Sequence, residues 1–208
     1  MKTMNVIEVI RTHVRGVIDE IARILNRATK GRITPDMITW TGFLAHFVIG
    51  YYIVTGQLVY AAFLLVIFGL FDALDGSLAR LQGVASSRGM FLDAVTDRFK
   101  EVILYVSMAW YLPAGSYGQI LCVAACGVAL SISYVKAKGE SAIATSSLNN
   151  SHQAINHMFH DGLAAFEIRI CIVAIGLLSG HIVAAVGVIS VLGLITLYQR
   201  FVSVYKVL

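Results

Sequence analysis

Three stretches of this chain carry no Asp, Glu, Lys or Arg: residues 37–71, 102–135 and 170–199. Each exceeds the roughly 20 residues that one helix needs to cross a hydrocarbon core, so each holds a helix, a tight turn and part or all of a second helix. The breaks fall at Thr55-Gly56-Gln57, Pro113-Ala114-Gly115-Ser116 and Ser179-Gly180-His181, all clusters of turn-forming residues. Six spans result, over 34–55, 58–81, 92–112, 117–136, 167–178 and 181–205. Ahead of them, Ile7, Ile10, Val14, Ile18, Ile21 and Leu25 recur every three or four residues, with Arg11, Arg15, Arg23 and Arg27 between. That is the pattern of an amphipathic helix lying in a membrane interface, and it lacks the apolar core of a cleavable signal. The pattern predicts an all-α integral membrane protein in two parts: an N-terminal juxtamembrane amphipathic helix over 1–33 and six transmembrane helices over 34–208.

Composition removes the soluble alternative, because 58% of the residues are hydrophobic, only 13% are charged and the mean hydropathy is +0.77. The 16 Lys and Arg residues all fall before the first span, beside the even-numbered connections or at the chain's end. The three turns opposite have none. Because basic residues are retained on the cytoplasmic side, both termini are expected there. The net charge of +4 then reflects this facing and an affinity for anionic lipid head groups, not nucleic-acid binding. Cys122, Cys126 and Cys171 sit in predicted spans without metal-ligand spacing and read as small apolar filler.

Four carboxylates break the apolar pattern. Asp72, Asp75, Asp93 and Asp97 fall at the cytoplasmic ends of the second and third spans, where an isolated charge costs several kcal/mol. Asp72 and Asp75 are i, i+3, and Asp93 and Asp97 are i, i+4, so each pair occupies one helical face. Two helices joined by a short turn are antiparallel neighbours whose acidic faces can meet. Facing carboxylates need positive charge between them, and all-oxygen ligation suits hard cations such as Mg²⁺, with Mn²⁺ an alternative. Two such ions would clamp the oxygens of a phosphate. The plainer alternative is ion pairing with Arg80, Arg88 or Arg98. Gly76 and Ala79, close to the angular position of the first two acids, leave room for a ligand or for helix packing, and Arg80 can pair with a phosphate.

Read together, Asp72, Asp75-Gly76, Ala79-Arg80, Gly89, Asp93 and Asp97 spell D(x)2DG(x)2AR(x)8G(x)3D(x)3D. This resembles the signature of the CDP-alcohol phosphatidyltransferase family, and the six-span layout agrees with that family over nearly the whole chain. The resemblance implies a metal-dependent transfer of a phosphatidyl or archaetidyl group from a CDP-linked lipid to a small alcohol, with release of CMP. It implies that Asp72, Asp75, Asp93 and Asp97 hold two metal ions and that Asp97 is the general base for the acceptor hydroxyl. It implies donor contacts at Gly76, Ala79, Arg80 and Ser86, and at Pro35, Asp36 and Thr39 of a segment that departs from the family's Asn-Pro-x-x-x-Thr by having Thr34. That segment also reads simply as an N-cap followed by proline. A homodimer is implied by the family, and Gly176 and Gly180 have helix-packing spacing.

The acceptor must be read outside the signature. Lys136, Lys138, Arg169 and Arg200 are cytoplasmic-face cations that would hold a second phosphate if they converge, or serve as ordinary membrane anchors if they do not. The run Ser-Tyr-Val-Lys-Ala-Lys-Gly-Glu at 133–140 is similar to the corresponding segment of phosphatidylinositol-phosphate synthases, which implies inositol 1-phosphate as acceptor; glycerol 3-phosphate is the rival. His152, His157 and His160 lie in the polar loop that follows, in a spacing that specifies no metal site. From another class, a membrane cation transporter would also carry intramembrane carboxylates, but near the midplane rather than at one face.

Overall fold

The computed structural model describes residues 6–145 and 164–208, with side chains described from Val14 onward, so the histidines of the polar loop lie outside the described residues. Among the described residues all regular structure is helical, in eight elements: α1 Val6–Ala28, α2 Pro35–Val54, α3 Leu58–Gly69, α4 Phe71–Gln82, α5 Ser87–Tyr111, α6 Tyr117–Thr145, α7 Phe166–Ser179 and α8 Ile182–Val207. Among the described residues four stretches are long and apolar enough to cross a membrane: α2, α3 and α4 together over Leu58–Gln82, α6, and α8. The molecule is an integral membrane protein. α5 has the length, at 25 residues, but it carries Arg88, Asp93, Asp97, Arg98, Lys100 and Glu101. α7 has 14 residues, short of the roughly 20 that a span needs.

Local chemistry explains the boundaries. Thr34 caps α2, its Oγ1 accepting from the Met37 N–H at 3.3 Å, and Pro35 follows at the first helical position, where a missing N–H is harmless. The predicted second span is divided at Leu70 into α3 and α4, a break that neither proline nor charge announces. α4 stops at Gly83, whose φ of 68° lets the Val84 N–H return to the Ala79 carbonyl at 3.0 Å. α6 continues past Lys136 and Lys138 to Thr145, so both lysines sit in the body of a helix.

The chain divides into two compact units, Met1–Ile49 with Phe63–Lys100, and Gly50–Ala62 with Glu101–Leu208. In the first, α1 packs on α4: Ile18 and Ala22 are buried with Ile38, Leu74 and Leu78, flanked by Leu25, Ile33 and Phe71. Ser77 Oγ donates to Asp19 Oδ1 at 2.5 Å, and Gln82 Nε2 donates to Asn26 Oδ1 at 2.8 Å and to the Ile33 carbonyl at 2.9 Å. The apolar face expected on α1 is therefore two neighbouring stripes. Ile18, Ala22 and Leu25 turn to α4, whereas Val14, Val17, Ile21 and Ile24 remain exposed.

In the second unit small residues allow close helix approach. A Cβ at Gly193 of α8 would overlap Val128 of α6, one at Gly118 would lie 2.8 Å from Leu112 and 2.9 Å from Val183, and one at Gly176 would overlap Ala185. Gly180 closes α7 with a φ of 71°. Gly176 and Gly180 thus serve the α7–α8 hairpin within one chain, which answers the spacing noted in the sequence without a second subunit.

Candidate active site

The first unit brings the signature residues together on α4 and α5. One carboxylate oxygen from each of Asp72, Asp75 and Asp93 lies within 4.8 Å of the other two. Asp75 is buried and fixed by Thr39 of α2, whose Oγ1 donates to its Oδ2 at 2.5 Å. Thr39, a candidate donor contact, thus orients a carboxylate in the fold. Asp93 Oδ1 is buried without a hydrogen-bond partner among the described residues.

Asp97 stands beside this triad, one turn along α5 from Asp93. The side chain that neutralises it is Lys100, which is fully buried and whose Nζ donates to Asp72 Oδ1 and, at 3.1 Å, to Asp97 Oδ1. Arg98 Nη2 lies 3.8 Å from Asp97 Oδ2. Ion pairing is therefore present, led by Lys100, a residue whose position near a span end marks it only as a basic-face residue. Two cations offset at most two of four carboxylates. A buried carboxylate oxygen lacking any donor costs about 1–3 kcal/mol, and more for a charged group. The excess negative charge, the three converging acceptor-only groups and the orphaned Asp93 Oδ1 all fit a hard divalent cation held by oxygen ligands.

The remaining expected donor contacts divide. A Cβ built on Gly76 would meet only the Arg80 guanidinium, at 3.5 Å, so no packing inside the described chain requires glycine there. Among the described residues helix packing does not explain Gly76. Gly76→Ala is expected to leave thermal stability equal or higher, since alanine gains about 0.8–1.0 kcal/mol over glycine in a helix interior. The same change is expected to weaken CDP-lipid binding, read as a raised donor KM; a variant that is less stable with an unchanged donor KM would restore the packing role. Arg80 is exposed and lies 3.9 Å from Asp19 of α1. Ala79 gives its carbonyl to the helix cap at Gly83. Ser86 caps α5 by accepting the Gly89 N–H at 3.2 Å, which relates two signature positions to one turn. Pro35 and Asp36 open α2, with Asp36 in the first turn where the helix dipole favours an acid.

The four expected acceptor cations belong to the second unit. Lys136 and Lys138 are exposed on α6, and Lys136 Nζ lies 3.8 Å from Glu140. Arg200 of α8 donates from Nη1 to the Ile132 carbonyl at 3.4 Å. Arg169 departs from expectation. It is 2% exposed, and its Nε and Nη2 donate to the two oxygens of Glu101 at 2.7 and 3.0 Å, while Nη1 bonds the Ala164 carbonyl. A guanidinium engaged in this way is a structural partner of α5, with its Nε, Nη1 and Nη2 all committed inside the protein. Pairing across 68 positions is invisible to composition or spacing.

The sequence profile of the CDP-alcohol phosphatidyltransferase family matches residues 32–199. The archaetidylinositol phosphate synthase of Methanothermobacter thermautotrophicus is 29% identical over 95% of this chain and 91% of that protein. The phosphatidylinositol phosphate synthase of Cutibacterium acnes is 31% identical over 91% and 93%. That of Corynebacterium glutamicum is 33% identical, but the match spans only 60% of this chain and 58% of that protein. Among solved structures, the Mycobacterium tuberculosis phosphatidylinositol phosphate synthase with CDP-DAG bound superposes with a TM-score of 0.74 at 25% identity, covering 91% of this chain and 94% of that one. The same enzyme in complex with manganese and citrate gives 0.71 at 24% identity, covering 90% and 88%.

Proposed function

The chain belongs to the CDP-alcohol phosphatidyltransferase family, and from that premise we propose that it transfers a phosphatidyl or archaetidyl group from a CDP-linked lipid to inositol 1-phosphate. The acceptor assignment is carried by the two relatives aligned over nine-tenths of their length, both named as synthases of an inositol phosphate lipid. Glycerol 3-phosphate is the acceptor that the test must exclude. The transporter reading receives no support, because the carboxylates fall in a transferase signature.

Asp72, Asp75 and Asp93 hold the divalent cation, with Asp97 completing a set for two ions. Mg²⁺ is the proposed ion, and Mn²⁺ an acceptable substitute given the manganese complex of the mycobacterial relative. Bound there, the cation supplies positive charge against the pyrophosphate of the donor. Thr39 keeps the Asp75 carboxylate aimed at the cluster. Arg80 pairs with a donor phosphate, and Gly76 and Ala79 leave space for the nucleotide, with Pro35, Asp36 and Ser86 at its margin. Asp97 accepts the proton of the acceptor hydroxyl as its oxygen bonds to the lipid-side phosphorus and the bond to CMP breaks. Lys136, Lys138 and Arg200 take the acceptor's own phosphate. Residues 34–208 form the catalytic domain, both termini and the active site face the cytoplasm, and α1 lies in the interface with Val14, Val17, Ile21 and Ile24 toward lipid. A homodimer is the proposed assembly, on the family resemblance.

The experiment is CMP release from CDP-diacylglycerol by the purified protein with Mg²⁺, comparing inositol 1-phosphate, glycerol 3-phosphate, free inositol and serine. Selective turnover with inositol 1-phosphate supports the proposal; turnover with glycerol 3-phosphate alone would retain the family and replace the acceptor. In the same assay Lys138→Ala and Arg200→Ala are expected to raise the acceptor KM about tenfold, the scale of one charge-assisted hydrogen bond, with little change for the donor. The opposite split would remove these residues from the acceptor site.

A further inference from the structure

The carboxylate cluster contains its own cation. Lys100 is fully buried, reaches Asp72 from α5, and lies 3.1 Å from Asp97 on the same helix. The three oxygens that converge within 4.8 Å come from Asp72, Asp75 and Asp93, so Lys100 shares Asp72 with that triad and binds Asp97, which lies outside it. Four carboxylates accordingly divide into a triad open to one divalent ion and an Asp72–Asp97 edge already bridged by Lys100. A buried ammonium needs its partners as much as the carboxylates need it, so this bridge is not a surface ion pair that thermal motion opens freely.

We propose that Lys100 makes the loading of the site sequential: one divalent ion enters at Asp72, Asp75 and Asp93 with Lys100 in place, and a second ion is held at Asp72 and Asp97 only when the donor's pyrophosphate draws Lys100 away. The inference rests on the metal-dependent transferase reading and adds a positioning residue that the family signature does not contain. The chemistry is competitive. A divalent ion at the Asp72–Asp97 edge must displace an ammonium from the same oxygens or accept its repulsion at a few ångströms. A pyrophosphate removes that conflict twice, by supplying further oxygen ligands for the ion and an anionic partner for the freed ammonium. Before donor binding Lys100 holds Asp97 in place, and the second ion arrives with the substrate it clamps.

The test is direct binding of Mn²⁺ to the purified protein in detergent, followed by the electron paramagnetic resonance signal of free Mn²⁺, with and without CDP-diacylglycerol. The wild type is expected to bind one ion tightly without lipid and a second only with it. Lys100→Met, and Lys100→Gln should the first variant fold poorly, are expected to tighten the second site by about tenfold or more without lipid, while the first site changes less. A purely structural lysine would instead weaken both sites together or leave both unchanged. Two equally tight ions in the lipid-free wild type, or an isotherm unaltered in both variants, would overturn the proposal. If the wild type binds no Mn²⁺ under either condition, the metal-dependent reading itself fails, an outcome distinguishable from failure of the Lys100 role alone.

Discussion

Asp97→Asn is expected to reduce CMP release by about 10²–10⁴-fold, the usual contribution of a positioned general base, while CDP-lipid still binds. Asparagine keeps the shape and an acceptor oxygen toward Lys100, which lies 3.1 Å from the present carboxylate, but it cannot take up the proton of an acceptor hydroxyl. The triad of Asp72, Asp75 and Asp93 remains intact in this variant, so the first divalent ion retains its ligands and still holds the donor, whereas the second ion exchanges one carboxylate for an amide oxygen. Asp93→Asn provides the contrast: it changes the group whose Oδ1 is buried without a partner, and Mn²⁺ affinity should fall along with turnover. Donor affinity is measured by displacement of labelled CDP-lipid and turnover by CMP release. Near-normal turnover by a folded Asp97→Asn protein would end its assignment as the base and leave it a ligand alone.

The parts of this molecule that were legible in its sequence are those governed by local rules. Charge-free windows locate helices because backbone amides in lipid must bond within their own segment, and Gly56, Gly115 and Gly180 mark turns through their positive φ. The fixed gaps between Asp72 and Asp97 place four acids on two helical faces, and Thr34-Pro35 gives the start of α2. What escaped was set by partners far apart along the chain. Lys100 was assigned to a basic face by its position near a span end, yet 28 residues separate it from the Asp72 that takes its charge. The apolar stripe of α1 divides because α4 covers only Ile18, Ala22 and Leu25, and Ser77 reaches Asp19 across 58 residues. The break at Leu70 leaves the apolar pattern unchanged, so periodicity could not locate it.

Arg169→Ala is expected to destabilise the protein by about 3–5 kcal/mol, because it removes the bidentate cationic partner of the Glu101 carboxylate in a site where both side chains are 2% exposed. Thermal unfolding in detergent should fall by roughly 10 °C. The loss comes from the buried charge that has lost its cation and not from the pair's own worth, so replacing both partners should recover most of it: Glu101→Gln with Arg169→Met keeps volume and removes both charges. The double variant also separates the two roles that this arginine could hold. If Arg169 is engaged structurally by Glu101 and the Ala164 carbonyl, the stable double variant keeps the wild-type KM for inositol 1-phosphate, whereas Lys138→Ala and Arg200→Ala raise it. A restored melting temperature with a raised acceptor KM would return Arg169 to the phosphate site, and would mean that its bond to Glu101 opens during turnover. The geometry favours the first outcome, because turning Arg169 toward a ligand would break a bidentate guanidinium–carboxylate pair at 2.7 and 3.0 Å that is out of contact with solvent.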